Sequence, residues 1–138
     1  MKIEIAPSIL AADAARLGEE VSRVEKAGCR YLHIDIMDGH FVPNLSYSPH
    51  VVQSLRTKSK MFFDVHLMLS QPKNYIEPFA KAGADLITVH AEVAENTAEI
   101  IELAELIHSF GIRAGISIKP KTPPEVLKGV LDRFELVL

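Results

Sequence analysis

Short apolar runs rich in β-branched residues alternate along this chain with longer stretches whose apolar residues recur at helical spacing. No other feature constrains its fold as strongly. The pairs are IEIAPSIL (3–10) with AARLGEEVSRVEKAG (14–28), RYLHIDIM (30–37) with PHVVQSLRTK (49–58), and MFFDVHLML (61–69) with PKNYIEPFAKAG (72–83). DLITVH (85–90) with NTAEIIELAELIHSFG (96–111), RAGISI (113–118) with PPEVLKGVLDR (123–133), and a last FELVL (134–138) complete the series. Five strand–helix units and one further strand are therefore predicted. A strand that returns through a helix comes back parallel to its predecessor, so the expected class is α/β with a parallel sheet. Gly28, Gly83 and Gly111 stand where helices should stop, and Pro49, Pro72, Pro123 and Pro124 stand near helix starts.

The predicted strands begin near residues 3, 31, 61, 85, 113 and 134, about 26 residues apart. Eight such units need roughly 210 residues, the size of a (β/α)8 TIM barrel. The 138 residues are read as a single domain holding the first five and a half units of such a barrel, with an open five- or six-stranded sheet as the competing architecture. At 48% apolar and 24% charged residues the chain can bury a core and is too hydrophobic for intrinsic disorder. A formal net charge of −3 without clustered Lys and Arg argues against a nucleic-acid surface. The lone Cys29 permits no internal disulfide, and no apolar run is long enough for a membrane helix or a signal core, so a cytoplasmic protein is expected.

The strand faces favour the barrel. Side chains alternate across a strand, which puts Tyr31, His33, Asp35 and Met37 on one face and Leu32, Ile34 and Ile36 on the other. The next strand repeats this, with Phe62, Asp64, His66 and Met68 opposite Phe63, Val65 and Leu67. A parallel sheet covered by helices on both faces should be apolar on both, and a buried carboxylate without partners costs several kcal/mol. The C-terminal mouth of a barrel accepts such groups. His33, Asp35 and His66 are there within reach of one divalent cation, a donor set of two imidazoles and a carboxylate. Asp64, deeper in its strand, is expected to be either a structural carboxylate or one that orients a ligand histidine.

The run LHIDIMDGHFVPN (32–44) resembles the signature of the ribulose-phosphate 3-epimerases, and DVHLM (64–68) resembles their second signature. APSIL (6–10), VHAE (89–92) and GISIKP (115–120) match in order and approximate spacing, so the resemblance covers the whole chain. It implies a ribulose-phosphate-binding barrel that interconverts D-ribulose 5-phosphate and D-xylulose 5-phosphate with one divalent metal ion, Zn²⁺, Fe²⁺, Mn²⁺ or Co²⁺. Carried over by position, it makes His33, Asp35 and His66 metal ligands and Asp35 the proton-abstracting base. Ser8, His66, Met37 and Met68 become substrate contacts, and Asp38, Gly39 and residues 41–44 a mobile loop. The chemistry accounts for these residue types, because removing a proton beside a ketone leaves an enediolate whose charge a Lewis acid stabilises.

The family pattern also has a seventh-strand aspartate and phosphate-holding amides that have no counterpart before Leu138. The 138-residue chain is therefore expected to bind metal weakly and to lack full turnover, and its open sheet edges are expected to make it a homo-oligomer. A hexulose-phosphate epimerase acting on allulose 6-phosphate and a non-catalytic barrel remnant are the alternatives, and a related decarboxylase fits the paired strands less well. Other residues have ordinary readings. His90 orients a ligand or is structural, Lys119 and Lys121 lie in a solvated loop, and the acidic run 92–105 forms a solvated helical face. His40 and His50 are exposed, His108 complements a helix dipole, and Cys29 is a small residue at a strand entrance.

Overall fold

The computed structural model describes residues 3–138, which form a five-stranded, wholly parallel sheet in sequential order. Its strands are β1 (Tyr31–Met37), β2 (Phe62–Met68), β3 (Leu86–His90), β4 (Arg113–Ser117) and β5 (Leu136–Val137). The connecting α-helices are α1 (Leu17–Lys26), α2 (Pro49–Arg56), α3 (Ile76–Ala82) and α4 (Thr97–His108). Strand–helix alternation with a sequential parallel sheet is the arrangement of a partial TIM barrel.

The helix-facing side of the sheet forms the core. Leu32, Ile34, Ile36, Phe63, Val65, Leu67, Ile87, Val89, Ala114 and Ile116 are buried there under Val21, Val52, Phe79, Leu103 and Ile107 from the helices. Burial alternates residue by residue along β1, as its sequence dictates. The opposite face carries the polar side chains. β1 and β2 pair without offset, setting His33 beside Asp64, Asp35 beside His66 and Met37 beside Met68.

Arg56 closes the opposite, N-terminal end of the sheet. Its guanidinium bonds Asp85 Oδ2 at 2.9 Å and the carbonyls of Ser59 and Met61, and it lies 3.8 Å over the Phe63 ring. Gly83 ends α3 with φ 104°, and a Cβ there would meet the Arg56 stem at 2.6 Å.

Two predicted elements differ. Residues 3–10 make no strand, contributing one parallel bridge between Ser8 and His33 supported by His33 N–H donating to the Pro7 carbonyl at 2.9 Å. Pro7 has no N–H to extend a ladder, and Ser8 already caps a 3₁₀ turn, Ile9–Ala11, by accepting from Leu10 N–H. The helix expected over 123–133 is instead two 3₁₀ turns, Pro124–Leu127 and Leu131–Arg133. Lys128 is extended and Gly129 sits at φ 84°, which breaks the run, while Leu127 and Val130 anchor it to the core.

Candidate metal and proton-transfer site

The polar face of the sheet converges at the C-terminal ends of β1–β3. Nε2 of His33 and Nδ1 of His66 each lie 3.2 Å from Asp35 Oδ1. One donor atom from each of the three residues lies within 4.8 Å of the others, a group able to hold a metal ion. Two imidazole nitrogens and a carboxylate oxygen on short, buried strands suit a borderline divalent cation.

Each member is held from behind. His33 Nδ1 faces Asp64 Oδ2 at 2.8 Å, and Asp64 accepts a second bond from Thr88 Oγ1 at 3.0 Å. Ser8 Oγ donates to Asp35 Oδ2 at 2.5 Å. Ser46 Oγ donates to the Asp35 carbonyl at 2.6 Å and accepts from Met37 N–H at 2.9 Å, which fixes the backbone leaving β1. Among the described residues, every buried side-chain nitrogen and oxygen has a hydrogen-bond partner.

The electrostatics follow from these contacts. Burial alone would lower the His33 pKa, but hydrogen bonds to Asp35 and Asp64 outweigh it and raise it to about 9. Burial works against the Asp35 charge, yet bonds from His33, His66 and Ser8 hold its carboxyl well below the usual carboxylate range. Asp38, just beyond β1, is also held low. Its partners, which outweigh desolvation, are the Ser70, Phe41 and His40 backbone amides and the Ser70 hydroxyl. Those bonds tie the loop after β1 to the end of β2.

Of the residues singled out in the sequence, His33, Asp35, His66 and Ser8 thus come together. Met37 and Met68 pair in register at the strand ends and are half-buried. His40, His50 and Lys121 are exposed, and Cys29 is half-buried. His108 ends α4 and lies 3.2 Å from Glu135.

Two readings are corrected. Glu92 is not on a solvated helical face, because α4 begins only at Thr97. It is half-buried, with Oε1 accepting from Lys119 N–H at 2.6 Å and Thr122 Oγ1 at 2.5 Å. Burial works to raise its pKa, but its hydrogen bonds, with Thr122 and Lys119 the largest, together hold it down. Lys119 does not reach into solvent either. Its Nζ lies 3.7 Å over the Phe41 ring and 3.3 Å from the Phe41 carbonyl, bridging the loops after β1 and β4.

His90 is buried at the end of β3, with Nε2 2.8 Å from His66 Nε2 and Nδ1 3.2 Å from Glu92 Oε2. Burial and the neighbouring His66 push its pKa down. Thr88 and Ser46 were not singled out in the sequence, and Glu92 entered only as the last residue of the VHAE match and the first of the acidic run, with no site role of its own. The alternation in DLITVH does put Thr88 and His90 on one face, which was the available clue for Thr88.

No helix among the described residues is long and apolar enough to cross a membrane. Residues 4–138 match the model of the "Ribulose-phosphate 3 epimerase family". Among similar proteins, the ribulose-phosphate 3-epimerase of Bacillus subtilis is 47% identical over 136 residues, covering 99% of this chain and 61% of that protein. The cytoplasmic isoform from Oryza sativa subsp. japonica is 48% identical over 138 residues, covering 98% and 60%. The chloroplastic ribulose-5-phosphate-3-epimerase of Arabidopsis thaliana is 44% identical, with 99% and 48% covered. The chain thus spans about half to three-fifths of the length of these relatives. Because the match runs over residues 4–138, the chain belongs to the ribulose-phosphate 3-epimerase family.

Proposed function

We propose that this chain carries the metal-binding and proton-abstracting part of an epimerase that inverts carbon 3 of D-ribulose 5-phosphate and D-xylulose 5-phosphate. The supporting observation is the convergence of His33 Nε2, Asp35 Oδ1 and His66 Nδ1 at the open end of the parallel sheet. Zn²⁺, Fe²⁺, Mn²⁺ or Co²⁺ suits these donors and would supply Lewis-acid stabilisation of the negative charge that develops on the substrate. His33 and His66 would hold the cation together with Asp35. Asp64, bonded to His33 Nδ1, keeps Nε2 turned toward the centre.

Asp35 takes the proton from the carbon beside the ketone. Ionised at neutral pH, it is already in the form a base requires. Ser8, which bridges Asp35 Oδ2 and the start of the chain, positions that carboxylate and faces the substrate. Met37 and Met68 form soft apolar walls that keep water from the reacting carbon, and the half-buried single thiol of Cys29 suits a reducing compartment such as the cytosol.

Proton exchange tests the assignment without requiring inversion. With Zn²⁺, Mn²⁺, Fe²⁺ or Co²⁺ added in D₂O, the 138-residue chain is expected to exchange the C3 proton of D-ribulose 5-phosphate, read by NMR. Asp35→Asn should slow exchange at least about 100-fold. Absence of metal-dependent exchange by the folded chain would overturn the reading. Faster exchange on a hexulose 6-phosphate would reassign the substrate, and full epimerase turnover would contradict the expected impairment of this polypeptide.

A further inference from the structure

The loop after β1 reaches across the mouth of the sheet. Phe41 belongs to that loop and Lys119 to the loop after β4, yet Lys119 Nζ lies 3.7 Å from the centre of the Phe41 ring and 3.3 Å from the Phe41 carbonyl. The strands run in sequential order, so β2 and β3 stand between the two loops, each step across the sheet being about 4.8 Å. The contact therefore spans the C-terminal ends of β2 and β3, the strands that carry His66 and His90. The rings trace the same path, since Phe41 lies 4.8 Å from His90, and His90 stacks on His66 at 4.9 Å.

The loop is held at both ends, by different means. At its base Asp38 accepts from the His40 and Phe41 amides and from the Ser70 amide and hydroxyl, and a bridge joins Asp38 to Leu45. At its far side Phe41 alone meets β3 and β4, through His90 and Lys119. Lys119 is a firm post. Its N–H donates to Glu92 Oε1 at 2.6 Å, and Pro120 restricts its backbone to extended conformations. Its ammonium, half-buried between a ring face and a carbonyl oxygen, is attracted to both.

We propose that Lys119 is a positioning residue that fastens the loop after β1 across the mouth and thereby governs how fast a divalent cation enters and leaves the candidate centre. The gating half rests on the metal reading given above. Phe41 touches His90 and not the His33–Asp35–His66 donor set, so unfastening the loop changes passage in both directions and leaves the affinity alone.

Three substitutions separate fastening from general support. Lys119→Met keeps the stem and removes the charge, Lys119→Arg keeps the charge, and Phe41→Leu removes the ring and spares the carbonyl. Hydrogen exchange of the metal-free 138-residue chain, read by mass spectrometry, follows the loop, and stopped-flow transfer of Zn²⁺ to and from a chromogenic chelator follows passage. Lys119→Met should speed exchange over residues 39–45 by about 5–30-fold and leave strands β1–β4 as in wild type. It should raise the rates of Zn²⁺ uptake and release by at least about fivefold each, with affinity kept within about twofold. Lys119→Arg should restore both, and Phe41→Leu combined with Lys119→Met should add little to either alone.

Unchanged loop exchange in Lys119→Met, no restoration by Lys119→Arg, or faster exchange spread through the strands would overturn the fastening. Faster loop exchange with unchanged Zn²⁺ rates would overturn the gating. Should Lys119→Met fail to fold, Phe41→Leu decides on the same two readouts. The expected loop exchange in a chain that takes up no Zn²⁺ would sink the metal reading together with the gating built on it, and leave the fastened loop standing.

Discussion

His33 keeps its charge to a pH at which most imidazoles are neutral, because burial, which alone would strip the charge, is outweighed by the two carboxylates that flank it. A pKa of about 9 in the metal-free folded chain, against about 6.5 unfolded, means that the folded state binds the proton more tightly. That contribution, of order 3 kcal/mol, is fully present below pH 6.5 and is lost as pH rises through about 9. Urea denaturation of the metal-free chain should therefore show stability falling over that interval, and His33→Gln should flatten the fall. Arg56 offers a second residue-scale prediction. Its guanidinium holds one carboxylate and two carbonyls, so Arg56→Ala should cost about 2–4 kcal/mol in the same measurement while leaving Zn²⁺ affinity within about twofold. His33, Asp35 and His66 were legible in the sequence because their spacing within two strands fixes a common face. Glu92 and Lys119 were not, since Glu92 opens a charged run and its partners lie on a segment about 27 residues away whose path no local pattern reveals.

At the scale of elements, β3 and β4 approach closely at Gly115. A Cβ there would collide with Thr88 Oγ1 and meet Leu86 at 3.1 Å. Gly115→Ala is expected to cost about 1–3 kcal/mol and to disturb the Thr88–Asp64 bond, whereas Gly18→Ala in α1, with open space around it, should add about 0.5–1 kcal/mol. Thermal unfolding of the two variants checks the contrast. The same scale shows what pattern reading can recover. Strands β1 and β2 were visible through strict alternation, and α1 and α4 through their apolar faces with Gly28 and Gly111 as stops. The segment 123–133 has helical spacing too, yet Gly129 adopts a left-handed conformation and two buried anchors, Leu127 and Val130, suffice to hold it. Residues 3–10 have strand-like composition, but Pro7 and the cap made by Ser8 turn the chain at the site after a single bridge.

At the scale of the whole molecule, the sheet is open among the described residues. β5 pairs only with β4, and β1 meets residues 3–10 through the Ser8 bridge alone. Ile3 and Ile5 are 83% and 69% exposed beside one edge, and Val137 is 54% exposed beside the other. Unpaired backbone flanked by apolar side chains recruits further strands. The 138-residue chain should therefore self-associate in sedimentation velocity at micromolar concentration, and Val137→Lys should shift it toward monomer. A wild-type chain that remains monomeric would count against this.

The unstaggered pairing of β1 with β2 makes each strand a counting device. Odd positions from 31 to 37 reach the chemistry and even positions reach the oil, so inserting or deleting one residue between Tyr31 and Asp35 would exchange the two sets at a stroke. Deleting Leu32, for example, would set Ile34 and Ile36 where His33 and Asp35 now meet His66. Exchanging one hydrocarbon for another of similar volume beneath the helices therefore costs little, while a change of length inside either strand dismantles the candidate site.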